Sequence, residues 1–156
     1  MRRKDRDITD IRKAEEIVAF SRIMHLGLYD VDYPYVVPLH YGYRIENGRF
    51  IFYIHCAAEG HKLDCIKKNA NVFVEIDRET GIIPGETACG FGAGYESVMF
   101  CGTAKIVEDA TEKASALRLL MKTQTDRDFD ITEDMAAAVC VVRIDTQTFS
   151  AKARKE

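Results

Sequence analysis

The densest chemistry in the chain lies in twelve consecutive residues, Tyr53-Ile54-His55-Cys56-Ala57-Ala58-Glu59-Gly60-His61-Lys62-Leu63-Asp64. An apolar strand ends at His55, passes through small residues and Gly60, and enters a helix with Lys62 in its first turn. This is the makeup of an anion site. The first helical N–H groups lack internal partners, the helix dipole is positive there, and glycine lets a ligand approach the backbone. Lys62 adds a full charge, and His55 offers an imidazole that can exchange protons near neutral pH. The same residues also suit an ordinary strand-to-helix turn that binds nothing, and they form neither a P-loop nor a dinucleotide fingerprint.

Two further stretches bear on a ligand. In Pro34-Tyr35-Val36-Val37-Pro38-Leu39-His40-Tyr41-Gly42-Tyr43, Pro38 removes a ladder donor and belongs at a sheet edge or a bulge. Backbone groups beside such a break can pair with a flat heterocycle, although a plain edge proline reads the same way. In Gly94-Tyr95-Glu96-Ser97-Val98-Met99-Phe100-Cys101-Gly102, Gly102 marks a bulge or a close approach. The preceding Gly90-Phe91-Gly92-Ala93-Gly94 leads into no helix and is not a dinucleotide signature. His25 reads as a packed strand residue, whereas His40 suits a functional and a structural role equally. His55, His61, Cys56 and Cys65 form no recognised zinc spacing, and strand neighbours 55 and 56 point to opposite faces, so no metal is expected.

The elements around these residues alternate in a definite order. Asp10 caps a helix over Ile11 to Phe20, with Ile11, Ala14, Ile17 and Val18 at helical spacing. Strands are predicted over Ile23 to Tyr29, Tyr35 to Arg44 and Arg49 to Cys56, the last two joined at Glu46-Asn47-Gly48. Phe50 to Ile54 is apolar on both faces, which fits a strand in a barrel or under a covering layer. A short helix spans Gly60 to Asn69, with Asn69 in the left-handed terminal position. A strand over Asn71 to Asp77 precedes an irregular glycine-rich loop over 81–94, and Tyr95 to Val107 is a long strand. Asp109 and Glu112 open a helix in capping-box fashion, with Ala114, Leu117, Leu120 and Met121 on its face. Thr132 to Ala137 is a short helix, and Ala138 to Ile144 and Thr148 to Lys152 are the last strands. Hairpin-length connections predict antiparallel pairing in a closed or half-open barrel with helices at its rim.

With 156 residues, a single domain over 1–156 is expected. The 22 basic and 25 acidic residues offer no general attraction to nucleic acid or anionic membrane. Arg2-Arg3-Lys4 and Lys152 to Lys155 read as solvated tails. No apolar run is long enough for a membrane span, and the start is charged, so a cytoplasmic protein is expected. Five cysteines, none in a C-x-x-C pair, read as reduced and mostly buried thiols.

The combination of Tyr35-Val36-Val37-Pro38-Leu39, the run Tyr53 to Asp64 and Tyr95-Glu96-Ser97-Val98 resembles the nitroimidazole-resistance branch of the pyridoxamine 5′-phosphate oxidase-like flavoproteins. The opening Met1-Arg2-Arg3-Lys4-Asp5-Arg6 is similar too, and the likeness runs from about residue 1 to about 150. The resemblance implies a mainly β fold with peripheral helices: an antiparallel, Greek-key-like FMN-binding split β-barrel that works as a homodimer, with FMN at the subunit interface. It implies that Lys62 and the turn from Ala57 through Glu59 and Gly60 to His61 hold the FMN phosphate. The backbone of Val36, Val37, Pro38, Leu39 and His40 would lie along the isoalloxazine edge. Tyr95 to Ser97 of the partner subunit would approach the same flavin, and His55 would be the functional histidine. Cys56, also at the cofactor, stands where serine or glycine is expected, and His61 where arginine is common.

The expected function is therefore FMN-dependent reduction of small flat acceptors, nitroimidazoles and other nitroaromatics included, with NAD(P)H or another donor supplying electrons. A rival is a non-catalytic flavin- or haem-binding protein, with His40 or His55 serving a haem iron. An oxidase of pyridoxamine phosphate is weaker, because no arginine-rich second phosphate site is present. A surplus of apolar surface on the strands around Phe50 to Ile54 and Val98 to Cys101 predicts the homodimer.

Overall fold

A computed structural model describes residues 3–154, so Met1, Arg2, Lys155 and Glu156 lie outside the described residues. The chain opens with a single 3-10 turn and a two-residue strand β1 (Asp7–Ile8), neither of which sequence patterning marks. Helix α1 (Ile11–Phe20) starts where Asp10 accepts a hydrogen bond from the Arg12 N–H at 2.9 Å, and it buries Ala14, Ile17 and Val18. Then come β2 (Ile23–Leu28), β3 (Tyr35–His40), β4 (Gly42–Glu46), β5 (Arg49–Cys56), α2 (His61–Lys68), β6 (Asn71–Ile83), β7 (Gly92–Val107), α3 (Ala110–Thr125), α4 (Glu133–Ala137) and β8 (Cys140–Arg154). The strands form one sheet in the order β3-β2-β6-β7-β8-β5-β4, with β1 on β8, and every pairing is antiparallel. The antiparallel pairing is the one that the short connections predicted, and the open sheet fits the split barrel that the resemblance implied.

The predicted strand over Tyr35 to Arg44 is two strands at opposite edges of the sheet. The break falls at Tyr41, a fully buried residue whose hydroxyl donates to Val18 O at 2.7 Å and Ser21 O at 3.0 Å. Gly42 follows because α3 lies on it. A Cβ there would stand 2.5 Å from Leu120 N and 2.6 Å from its Cα. One residue thus carries the chain from one edge to the other and folds the sheet round on itself.

Beyond the crossing, β4 and β5 join through Asn47 and Gly48, with φ of 50° and 75°, a left-handed pair that suits a tight hairpin. Within β5, Phe50, Phe52 and Ile54 face the main core, while Ile51 and Tyr53 face α3 through Ala116. Both faces of β5 are therefore covered within one chain, and its apolar surplus is not the surface left for a partner.

Four other expectations are corrected. Residues 81–94 are largely a hairpin rather than an irregular loop, because Gly81, Ile82 and Ile83 pair with Gly94, Ala93 and Gly92 around a bulge after Glu79. Ala138 to Ile144 and Thr148 to Lys152 are one strand, bent where the register shifts opposite Cys101 and Gly102. A Gly102 Cβ would stand 2.7 Å from Asp145 O, which explains the glycine. Asn69 is extended, with φ −147°, because its side chain turns to accept from Asn71 N–H at 3.0 Å. Lys152 and Arg154 are not a solvated tail but β8 residues paired with Ser97 and Tyr95.

The cysteines are all free, yet only Cys65 is buried; Cys56 and Cys140 are half-buried, and Cys89 and Cys101 are exposed. Strand alternation puts Phe100 inward and so turns Cys101 outward. His25 is likewise outside the core, with Nδ1 3.1 Å from Glu75 Oε2 on the outer face of β2 and β6.

Candidate functional site

The ends of β3 and β5, the start of α2 and the C-terminal half of α3 converge at one end of the barrel. Tyr41 and Gly42 set this up. Gly42 pairs with Tyr53, so the preceding His40 arrives beside His55. His40 and His55 share a cleft of about 420 Å³ with Arg22, Leu120, Met121 and Gln124. His40 Nδ1 lies 2.9 Å from Arg22 O, and a carbonyl can only accept, so Nδ1 carries the proton and Nε2 is the nitrogen left for a ligand. Gln124 Oε1 is 3.1 Å from the same Nδ1, and its Nε2 donates to Tyr41 O at 2.8 Å. One α3 side chain therefore fixes both the crossing and the imidazole beside it.

The next residue, Cys56, points to the other face of β5 and lies opposite Cys140 in the ladder. Burial pushes the Cys56 thiol up, against the opposing pull of the nearby Lys62 charge. His55 and Lys62 thus flank Cys56. The turn between them ends at Gly60, whose φ of 145° favours glycine and around whose Cβ position 4 Å is open. Leu63 and Asp64 make the first helical hydrogen bonds, both to Gly60 O, so the N–H groups of Ala57 to Lys62 precede the helical ladder. Lys62 makes no ion pair among the described residues. His61 faces away: its Nε2 is 2.6 Å from Asp30 Oδ2, its ring packs edge-on against Tyr35 at 4.9 Å, and its hydrogen bond holds the Asp30 carboxyl below the usual range.

Among the described residues strand β3 pairs only with β2, so its far edge carries unpaired backbone groups beside Pro38. Val36, Pro38 and His40 point outward, while Val37 and Leu39 pack against the core. Tyr95 and Ser97 are elsewhere. They pair with Arg154 and Lys152, near the opposite end of β8 from Val141, which pairs with His55. At about 3.3 Å per residue, some 36 Å of strand separates the two places. Ser97 Oγ is buried without a hydrogen-bond partner among the described residues. The Tyr95 ring lies beneath Lys152 Nζ at 5.6 Å.

Sequence reasoning missed Arg22, Leu120, Met121 and Gln124 as site residues. Gln124 reads as any polar helix residue, and only the fold brings it to His40. A second groove, about 460 Å³, lies on the outer face beside Gly27, Phe73 and Cys101. It is larger, and its titratable groups are Tyr29, Asp30, Asp32, Tyr33 and Cys101, with no cationic or imidazole side chain, whereas the smaller cleft brings two imidazoles and Arg22 together.

The comparisons extend this picture. A candidate 5-nitroimidazole antibiotic-resistance protein from Bacteroides thetaiotaomicron superposes with a TM-score of 0.80 at 26% identity, over 94% of this chain and 86% of that one. A flavocytochrome from Azotobacter vinelandii gives 0.81 at 19% identity, over 100% and 72% of the two chains. An FAD- and haem-binding protein from Mycobacterium smegmatis gives 0.81 at 16%, over 97% and 74%. No curated protein matches the chain significantly. The family model described as pyridoxamine 5′-phosphate oxidase matches residues 10–153. Covering nearly the whole chain, that match makes this protein a member of the pyridoxamine 5′-phosphate oxidase family.

Proposed function

We propose that the chain is an FMN-dependent reductase of small flat acceptors, nitroimidazoles and other nitroaromatics among them, working as a cytoplasmic homodimer with NAD(P)H or another electron donor. The observation that supports this reading is the cleft shared by His55 and His40, at the end of the unpaired edge of β3, with the Lys62 charge close to Cys56, the next residue of β5. The residues fit the cofactor. The open space at Gly60 and the N–H groups of the turn suit one terminal phosphate, with Lys62 as counter-charge. The free edge of β3 suits a heterocycle rim. When bound, FMN supplies two-electron transfer between donor and acceptor.

The chain's own groups do the rest. His55 lies within the cleft and holds a proton for the acceptor. His40, locked through Nδ1, presents Nε2 to the same space. Leu120 and Met121 give the cleft an apolar wall for a flat ring. Tyr95 and the unpartnered Ser97 hydroxyl are far from their own cleft and suit the cleft of a second copy. The outer face of β3, β2, β6 and β7 suits the two-fold contact, with Val36 55% and Phe73 44% exposed beside Ile23.

A second reading rests on His40. A histidine whose Nδ1 donates to a carbonyl has the orientation of a metal-binding imidazole, so a non-catalytic haem- or flavin-binding protein is the rival. The absorption spectrum after reconstitution separates the two, and released cofactor should chromatograph as FMN. Light scattering should give twice 17.7 kDa, and NAD(P)H should be consumed when a nitroaromatic is added. A haem spectrum, a monomer at micromolar concentration, or flavin without turnover would each refute the corresponding part.

A further inference from the structure

We propose that Asp30, His61 and Cys65 form a transition-metal site of the zinc type, open at its fourth position, at the mouth between α2 and the β2–β3 loop. His61 and Cys65 are four residues apart on α2 and share one face of the helix. Cys65 Sγ lies 3.7 Å from His61 Nε2, and Asp30 Oδ2 lies 2.6 Å from the same nitrogen. All three ligand atoms fall within 4.8 Å of one another. A tetrahedral zinc with bonds of about 2.0–2.3 Å spaces its ligand atoms roughly 3.3–3.7 Å apart. The His61–Cys65 pair already has that spacing. The Asp30–His61 pair is closed around a proton, and exchanging that proton for a metal requires Asp30 to retreat by under about 1 Å. Asp30 stands in the loop between β2 and β3, where such a shift disturbs no ladder.

The chemistry of the set is selective. One thiolate, one imidazole and one carboxylate match a borderline-soft cation and not calcium or magnesium. Thiolate and carboxylate together cancel a divalent charge. Cys65 is 2% exposed and forms the floor, while His61 and Asp30 line the way in from solvent. Supporting contacts are also present. Asp30 Oδ1 accepts from Val31 N–H at 2.8 Å, and the Tyr35 ring packs against the His61 imidazole. The bland account is a surface ion pair over a small buried thiol. It uses His61 Nε2 for Asp30 but gives the approach of Cys65 Sγ to the same nitrogen no role, whereas a metal needs all three groups on one point. Three protein ligands leave the fourth position to water.

The test is cobalt titration of the full-length protein after chelator treatment. One equivalent per chain should bind, with a thiolate-to-cobalt charge-transfer band that zinc abolishes by displacement. Cys65→Ala should lose the band. Asp30→Asn, on an exposed loop where folding is not at stake, should weaken cobalt binding by roughly tenfold or more. FMN uptake should be unchanged in both variants. A wild-type protein without the band overturns the site. So does a band that survives in Cys65→Ala. If Cys65→Ala does not fold, unaltered cobalt affinity in Asp30→Asn overturns it alone.

Discussion

Replacing Gly42 by alanine should be among the most damaging single-methyl additions this chain can receive. The new Cβ would stand 2.5 Å from Leu120 N, 2.6 Å from Leu120 Cα and 2.9 Å from Leu119 C. Ordinary carbon contacts begin near about 3.5 Å, so the overlap is close to 1 Å. The clashing atoms are helix backbone and cannot rotate away; α3 must lift from β4 as a body. Overpacking costs typically about 1–3 kcal/mol, and a rigid neighbour puts this case at the upper end. For a domain of this size that is a fall of roughly 6–12 °C in melting temperature. The control is Gly48→Ala. It has φ 75° and no atom within 4 Å of its Cβ, so it carries only a left-handed strain of about 1–2 kcal/mol. Urea unfolding of both variants with an unchanged m-value reads the difference. Adding Leu120→Ala to Gly42→Ala should give no relief, since the conflict is with backbone. The reasoning is refuted if Gly42→Ala costs no more than Gly48→Ala, or if Leu120→Ala rescues it.

Lys62→Ala should weaken FMN binding by about 1.5–3 kcal/mol, the scale of a charge-assisted hydrogen bond, whereas His55→Ala should keep much of the flavin and lose nitroaromatic reduction. Equal turnover of wild type and His55→Ala at matched flavin occupancy removes His55 from the mechanism. Tyr41→Phe should cost about 1–3 kcal/mol in urea unfolding, because it strips the buried Val18 and Ser21 carbonyls of their donor. Burial raises the Glu112 carboxyl, but hydrogen bonds from Arg143 and Tyr53 outweigh it and leave the pKa lowered in the fold. The stability Glu112 contributes is therefore present above the ordinary glutamate range and lost as pH falls through the lowered value. Glu112→Gln should flatten the acid limb of a stability profile below about pH 4.5, and an unaltered limb counts against this network.

What could be read in the chain was whatever is local. Asp10 and Asp109 declare their helices because a cap is a contact between neighbours in sequence, and Asn47-Gly48 declares its hairpin for the same reason. Glu112 shows the limit. Its N–H meets Asp109 as a capping box requires, but its carboxylate goes to Tyr53 and Arg143, partners that only the barrel brings near. Tyr35 to Arg44 misleads because apolar alternation runs through the crossing without a gap. The signal was there in Tyr41 beside Gly42, a large ring followed by the smallest residue. The hairpin ends at Gly81 and Gly94 were hidden because glycine lowers strand propensity even where two backbones pair. At the site, the turn around Gly60 and Lys62 was visible, but the meeting of Asp30 with His61 joins a loop to a helix 31 positions away.

The single-residue crossing at Tyr41 makes the two halves of the sheet share one degree of freedom. A slip of β3 along β2 pulls β4 by the same step along β5, because no slack lies between His40 and Gly42. A one-residue slip would turn Val37 and Leu39 out to water and at the same moment drive Arg44 toward the aromatic cluster. Errors that a longer connection would confine to one edge are thus penalised twice. The same linkage means that neither edge strand can peel away to pair with another molecule unless the opposite edge lets go too. The tight corner therefore holds both edge strands in register, while the outer rim of β3 keeps the unpaired backbone groups of an open sheet.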